Sequence, residues 1–209
     1  MIELYTWMTD NGYKARQMAE ESGLPYELIP VNIRKKEQFS ESHLKISPGH
    51  KIPALIDTDG PRGQRISLCE SGAILKYLAE KANNGMYPED PVERVTVDQW
   101  LFYGSSTFTT QAQQYGLFTH RFPEDVPPAK KHYEGVLRDL FDTFDRHLGD
   151  NAYMAGDNYT VADVSSYPDV HVHGAEGIGL DDWSNLKRWH DTIAARPAVQ
   201  KAWTPFAEQ

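Results

Sequence analysis

Glu70-Ser71-Gly72-Ala73-Ile74-Leu75-Lys76-Tyr77-Leu78-Ala79-Glu80-Lys81 puts an acidic residue and a hydroxyl at the head of an apolar-periodic helix, directly after the strand-like run Arg65 to Cys69. The first turn of a helix carries unpaired amides and the positive end of the macrodipole, so it attracts a carboxylate. Ser71 Oγ adds a donor there, and Glu70 offers a partner for an ammonium. The pair suits a ligand with both charged ends of an amino acid, although a serine at a helix start is equally an ordinary cap. Upstream, Lys51-Ile52-Pro53-Ala54-Leu55-Ile56-Asp57 reads as a short apolar strand entered through an Ile-Pro bond.

Working outward from these two segments, Ile2 to Trp7 alternates in the manner of a strand. Asn11-Gly12 marks a turn and a helix start, with Ala15, Met18, Ala19 and Ser22 as its buried stripe and Gly23 and Pro25 as its stop. Tyr26 to Ile33, Lys51 to Asp57 and Arg65 to Cys69 supply further strands, and Thr58 to Gln64 a hairpin loop. The helix 71–81 closes the unit, with Ala73, Ile74, Tyr77 and Leu78 on one face. This order, β-α-β, a loop with a short helix, then β-β-α, predicts a thioredoxin-like α/β domain over residues 1–81.

Residues 82–91 hold two Asn, one Gly and two Pro and read as a linker. Residues 92–209 are expected to form an all-α domain. Tyr133, Leu137, Leu140, Phe141, Phe144 and Leu148 recur at helical spacing behind Pro127-Pro128, and Thr160-Val-Ala-Asp163 has the form of a capping box. Residues 104–120, rich in Ser, Thr, Gln and Gly, show no clean stripe.

Composition narrows the function classes. The chain has 209 residues, 40% hydrophobic and 24% charged, which is ordinary for a globular protein. A formal charge of −9 argues against an extended phosphate-binding surface, so neither nucleic acid nor anionic membrane is an expected partner. No apolar run approaches the roughly 20 residues a spanning helix needs, and the N-terminus carries no apolar leader pattern. The expected location is cytoplasmic. One cysteine, Cys69, excludes an internal disulfide, a redox pair and a multi-cysteine metal site. His171-Val-His173 lacks a completing ligand, and i and i+2 diverge on a helix, so no metal is expected.

Nearly the whole chain resembles the glutathione transferase superfamily. It is most similar to the bacterial Nu class of disulfide-bond reductases, at Thr9-Asp-Asn11-Gly12, Gln38-Phe39, Ile46-Ser-Pro48, Lys51-Ile-Pro-Ala54 and Leu68-Cys-Glu-Ser-Gly-Ala-Ile-Leu75. The resemblance implies a two-domain enzyme with glutathione as cosubstrate, up to two molecules per site, a small-molecule substrate and a homodimeric assembly. It implies a cis bond before Pro53 that turns the Ile52 backbone toward the cysteinyl part of glutathione. It also implies that Glu70 and Ser71 hold the γ-glutamyl end and that Gln38 and Lys51 hold the glycyl carboxylate. Without the resemblance, Gln38 and Lys51 read as solvated surface groups.

The thiol end is expected to fall to Thr9 and Asn11, which lie where the first strand hands over to the first helix. A hydroxyl, an amide and free backbone N–H groups can converge there on one sulfur and favour its anion. Asn11 reads equally as an N-cap. Tyr5 lies mid-strand and Cys69 on the fourth strand, so neither fits the role. In the Nu class an arginine near position 132 reaches toward a second glutathione; this chain offers His132 or a lysine. Trp100, Tyr103 and the helix Glu93 to Phe102 are interface candidates that read equally as core. The leading expectation is glutathione-dependent disulfide reduction. Its alternatives are conjugation or thiolytic cleavage of a hydrophobic electrophile, and a non-catalytic scaffold that keeps the fold.

Overall fold

A computed structural model describes residues 1–206, the side chain of Glu176 excepted. The chain divides into two compact units: Met1–Tyr87 together with the chain from Arg196 onward, and Pro88–Ala195.

The first unit runs β1 (Ile2–Thr6), α1 (Asp10–Ser22), β2 (Tyr26–Pro30), α2 (Glu41–Leu44), β3 (Ala54–Asp57), β4 (Ile66–Cys69) and α3 (Ser71–Ala82). This is the thioredoxin-like order expected from the sequence. The sheet order is β2-β1-β3-β4, with β1 parallel to β2 and antiparallel to β3, and β3 antiparallel to β4. Ile2, Leu4 and Thr6 are buried on β1, while Glu3 and Tyr5 alternate with them toward the other face. The core adds Ala15, Met18 and Ala19 of α1, Leu55 of β3, and Ile74, Leu75 and Leu78 of α3. Ala54 pairs with both Tyr5 and Cys69. The end of β1, the start of β3 and the end of β4 therefore share one rim of the sheet.

Departures from the sequence expectations have local causes. The second strand stops at Pro30 because Asn32 Oδ1 accepts from Arg34 N and Lys35 N, at 3.0 and 3.2 Å, and turns the chain into tight helical turns. The third begins at Ala54 rather than Lys51: His43 Nε2 donates to Lys51 O at 2.8 Å, and the Ile52–Pro53 bond is cis. On α3 the buried stripe is Ile74, Leu75, Leu78 and Ala79, and Ala73 is exposed. Ser22 is only half-buried, its Oγ donating to Ala19 O at 2.7 Å.

The second unit contains α4 (Pro91–Phe102), α5 (Thr109–Gly116), α6 (Pro127–Asp150), α7 (Val161–Asp169) and α8 (Ser184–Ala194). Wide π-type turns at Tyr103–Phe108 and Leu117–Arg121 make the stretch that lacked a stripe helical almost throughout. Its small residues are there for close approach: a Cβ on Gly104 would lie 2.2 Å from Ser165 Oγ. Thr109 Oγ1 donates to Asp169 Oδ2 at 2.8 Å inside the same packing. Leu137, Phe141, Phe144 and Leu148 are buried on α6, while Tyr133 and Leu140 are half-buried. The capping box forms: Thr160 Oγ1 accepts from Ala162 N, and Asp163 Oδ2 accepts from Thr160 N at 2.9 Å. Asp163 Oδ1 also accepts from Met154 N and Trp189 Nε1, both at 2.8 Å. Complete burial pushes its carboxyl up to about 6 despite these bonds.

Trp100 is core rather than interface. Its ring packs against those of His147, Tyr103 and Phe144, at 4.0, 5.3 and 6.1 Å. The apolar side chains that α4 does expose are Val92, Val95 and Phe102. His171 and His173 have different partners: His171 Nδ1 is hydrogen-bonded to His190 Nε2 at 3.0 Å, and the His173 ring meets Tyr115 edge-on.

The last helix, α9 (Pro197–Ala202), belongs with the first unit and packs on α1, burying Val199 and Ala202. A boundary near residue 85 alone would have left this segment with the helical half. Three contacts bring it back: a two-bond Arg196–Glu21 pair at 2.6 and 2.8 Å, Lys201–Glu20 at 2.7 Å, and aromatic stacking on α1. Residues 207–209 of the expected helical domain lie outside the described residues. Among the described residues no helix is long and apolar enough to cross a membrane.

Candidate functional site

At the rim where β1 and β4 end and β3 begins, two helix N-termini and a cis peptide bond meet. Thr9 is the N-cap of α1, with extended backbone (φ −142°, ψ 161°), and its Oγ1 accepts from Gly12 N at 3.1 Å. That bond uses a lone pair and leaves the hydroxyl hydrogen free to donate. Thr9, rather than Asn11, caps the helix. Asn11 lies one step inside, and its Oδ1 accepts from Ser71 Oγ at 3.3 Å across 60 residues of sequence. Its Nδ2 makes no hydrogen bond among the described residues. Gly12 is forced here: a Cβ at this position would lie 2.0 Å from Trp7 O and 2.8 Å from Thr6 Oγ1. Only glycine lets the helix start so close under the loop that feeds it.

Glu70 precedes α3 with φ 74° and ψ 117°, a region that costs a non-glycine residue about 1–3 kcal/mol. Its side chain does not cap the helix and is exposed. Ser71 gives its hydroxyl to Asn11, so the first amides of α3 have no side-chain cap, in contrast to those of α1. Uncapped amides, a nearly buried hydroxyl and an exposed carboxylate on one helix start are the parts a zwitterionic amino-acid group needs.

The remaining predicted residues sit on neighbouring loops. Ile52 is half-buried at the cis bond. Lys51 is exposed; its backbone is fixed by His43 at the carbonyl and by Ser47 Oγ, which accepts from Lys51 N at 3.3 Å. Gln38 is in the tight turn Glu37–Phe39, with Oε1 buried and unpartnered. The Phe39 and His50 rings are 4.9 Å apart, which joins the loop of Gln38 to that of Lys51. Among the described residues no hydrogen bond or ion pair ties Gln38 or Lys51 directly to the Asn11–Ser71 pair. His132 is exposed on α6 of the second unit, edge-on to Tyr133.

Other sulfur-activating candidates are turned elsewhere. Tyr5 points to the opposite face of the sheet, where its hydroxyl donates to Glu3 at 2.8 Å; burial and that bond push its pKa up to about 12. Cys69 pairs with Ala54, which pairs with Tyr5 in turn, so Cys69 lies on that same face. A cavity of about 620 Å³ on this face is lined by Tyr5, Ile29, His43, Ile56 and Ser67 among others, and by none of the predicted site residues. From the sequence neither His43 nor Gly12 carries a role in the site. Asn11-Gly12 carried a trace of the second as a turn signal, whereas nothing local marks a histidine that will hold a carbonyl eight residues on.

Comparison with known proteins agrees with this fold. Residues 1–80 match the family described as glutathione S-transferase, N-terminal domain, and residues 107–197 match glutathione S-transferase, C-terminal domain. The chain is 37% identical to disulfide-bond oxidoreductase YfcG of Escherichia coli over 206 residues, covering 97% of this chain and 94% of that protein. It is 32% identical to YghU of the same organism, also a disulfide-bond oxidoreductase, over 96% of this chain and 73% of the relative. A Pseudomonas fluorescens glutathione transferase family member, solved with two glutathione bound, superposes with TM-score 0.90 at 32% identity, covering 96% of this chain and 91% of that one. A Pseudomonas putida glutathione transferase with one glutathione disulfide per subunit gives 0.88 at 33%, over 96% and 90% of the two chains. With both family domains matched in order and relatives aligned along almost the full chain, this protein belongs to the glutathione S-transferase family.

Proposed function

We propose that the protein is a glutathione-dependent disulfide-bond oxidoreductase, in which bound glutathione thiolate is the nucleophile. The observation that carries the proposal is the Ser71 Oγ–Asn11 Oδ1 hydrogen bond, which joins the starts of α1 and α3 beside the cis Ile52–Pro53 bond. Glu70, Ser71 and the uncapped amides of α3 receive the γ-glutamyl ammonium and carboxylate. The Ile52 backbone meets the cysteinyl amide, and Gln38 and Lys51 the glycyl carboxylate. The sulfur then falls at the start of α1, where the Thr9 hydroxyl and Asn11 Nδ2 donate to it and lower its pKa.

A chain with one cysteine, turned to the other face of the sheet, reduces disulfides with borrowed thiols. The thiolate attacks one sulfur of the substrate disulfide; the S–S bond breaks, a mixed disulfide with glutathione forms, and the second substrate sulfur leaves as a thiolate. A second glutathione thiolate attacks the mixed disulfide, releasing the reduced substrate and glutathione disulfide. Ligands in the two Pseudomonas structures, two glutathione in one and glutathione disulfide in the other, fit the start and end of that sequence. His132 is the group we propose for the second glutathione. The protein acts as a cytoplasmic homodimer on a small-molecule disulfide, and the exposed Val92, Val95 and Phe102 of α4 are the apolar surface that favours self-association.

The test is a panel assay at fixed glutathione, with a model dialkyl disulfide, a hydroperoxide and an aromatic electrophile as second substrates. The proposal expects the disulfide to be turned over fastest. Faster turnover of the electrophile would replace it with conjugation.

A further inference from the structure

We propose that the C-terminal segment Trp203–Phe206 is a positioning clamp that holds Thr9 in its thiol-facing orientation. This rests on the reading of Thr9 as a donor to the glutathione sulfur. Thr9 is bracketed by two backbone bonds: Thr9 N donates to Trp7 O at 2.9 Å, and Tyr13 N donates to Thr9 O at 2.8 Å. The side chains of those two bracketing residues are the ones the C-terminal segment covers. Phe206 stacks on Trp7 with ring centres 5.2 Å apart and planes 12° from parallel, and Trp203 stacks on Tyr13 at 3.9 Å and 9°.

The segment is held down between these stacks. Arg16 Nη2 donates to Thr204 O at 2.9 Å, and the guanidinium lies over the Phe206 ring at 4.7 Å and near the Tyr13 ring at 5.9 Å. Arg16 is 5% exposed, with Nε and Nη1 buried and without hydrogen-bond partners. A buried, half-satisfied guanidinium is costly, and aromatic faces are among the few groups that offset it. The placement of Arg16 therefore depends on the tail being in place. The remaining anchor is α9, which packs on α1 immediately before the clamp.

One hydrogen bond to a thiolate depends steeply on direction, so a small rotation of Thr9 about its bracketing amides shifts the thiol pKa without removing any glutathione contact. Trp203, Phe206 and Arg16 are positioning residues in this sense; none touches the sulfur. A purely structural tail would instead lower thermal stability, or glutathione affinity, and leave the bound thiol as it was.

The experiment uses the full chain with Phe206→Ala and Trp203→Ala, conservative partners Phe206→Tyr and Trp203→Phe, and Thr9→Ala as reference. The readouts are the pKa of bound glutathione from thiolate absorbance, glutathione Kd by calorimetry, and the melting temperature. The clamp predicts that Phe206→Ala and Trp203→Ala raise the thiol pKa by about half to one unit, that Kd changes less than about threefold, and that the conservative variants restore the pKa. An unchanged thiol pKa in both alanine variants, while Thr9→Ala raises it, overturns the clamp. An unchanged pKa in Thr9→Ala itself overturns the reading of Thr9 on which the clamp rests. Should an alanine variant fail to fold, Phe206→Leu keeps the apolar bulk without the aromatic stack, and an unchanged pKa in it counts equally against the clamp.

Discussion

Replacing Ser71 by alanine tests the amino-acid end of the site, and the structure sets the size of the effect. In the free protein the hydroxyl donates to Asn11 Oδ1 at 3.3 Å, so binding a carboxylate exchanges that neutral bond for one to a charged acceptor. A bond to a charged group contributes about 1.5–3 kcal/mol and a neutral one about 0.5–1.5, so the net loss on Ser71→Ala is about 1–2 kcal/mol. That corresponds to a rise in glutathione Kd of about five- to thirtyfold. The fold should hardly change, because Ser71 Oγ caps no backbone amide of α3. Titration calorimetry of wild type and variant, with melting curves as a control, measures both quantities. A Kd within twofold of wild type in a folded variant would refute the argument and move the carboxylate away from α3.

Glu70→Gly should raise the melting temperature of the ligand-free protein relative to Glu70→Ala, since it relieves a backbone at φ 74°, while both weaken glutathione about tenfold or more. A glycine variant less stable than the alanine one would show that this conformation is unstrained. Asp163→Asn should destabilise the fold by about 2–4 kcal/mol, because an amide cannot accept from Met154 N, Trp189 Nε1 and Thr160 N together. The Asp163 carboxyl lies at about 6 rather than 3.8, so the folded state binds its proton more tightly than the unfolded chain does. The stability it contributes is full below about pH 4 and is lost as pH rises through 6. The gap between wild type and Asp163→Asn in denaturant melts should narrow over that range, and a widening gap would contradict the sign. Cys69→Ala should retain turnover within about twofold, since Cys69 shares a sheet face with Tyr5 rather than with the thiol site; loss of activity in a folded variant would point to covalent catalysis.

Much of this was legible in residue order. The alternation of Ile2 to Trp7, the Gly23 stop and the Glu70-Ser71 helix start each act through neighbours a few residues away, so local pattern was enough to place them. Thr160 and Asp163 were readable for the same reason. What stayed hidden depends on distant partners. His43 holds Lys51 O through a fold-back of the chain, and Trp100 looks the same in sequence whether it faces solvent or the Phe144 and His147 rings. The C-terminal segment read simply as more helix, because its partners Glu20, Glu21, Tyr13 and Trp7 lie almost the whole chain away. Within the site, the sequence resemblance marked Thr9, Asn11 and Ser71 separately. The bond joining Asn11 to Ser71, and the capping of α1 by Thr9, are properties of the fold.

The most direct test of the central claim is the pH dependence of disulfide reduction in Thr9→Ala, Asn11→Ala and the double variant, with glutathione affinity measured alongside. Loss of one hydrogen bond to a thiolate removes about 1.5–3 kcal/mol. Each single variant should therefore shift the activity profile to higher pH and lower turnover at neutral pH by about ten- to a hundredfold, with Kd for glutathione nearly unchanged. Because both groups serve one sulfur, the double variant should fall short of the sum of the two losses. Unchanged profiles in all three folded variants would contradict the account and place the activating group outside the start of α1.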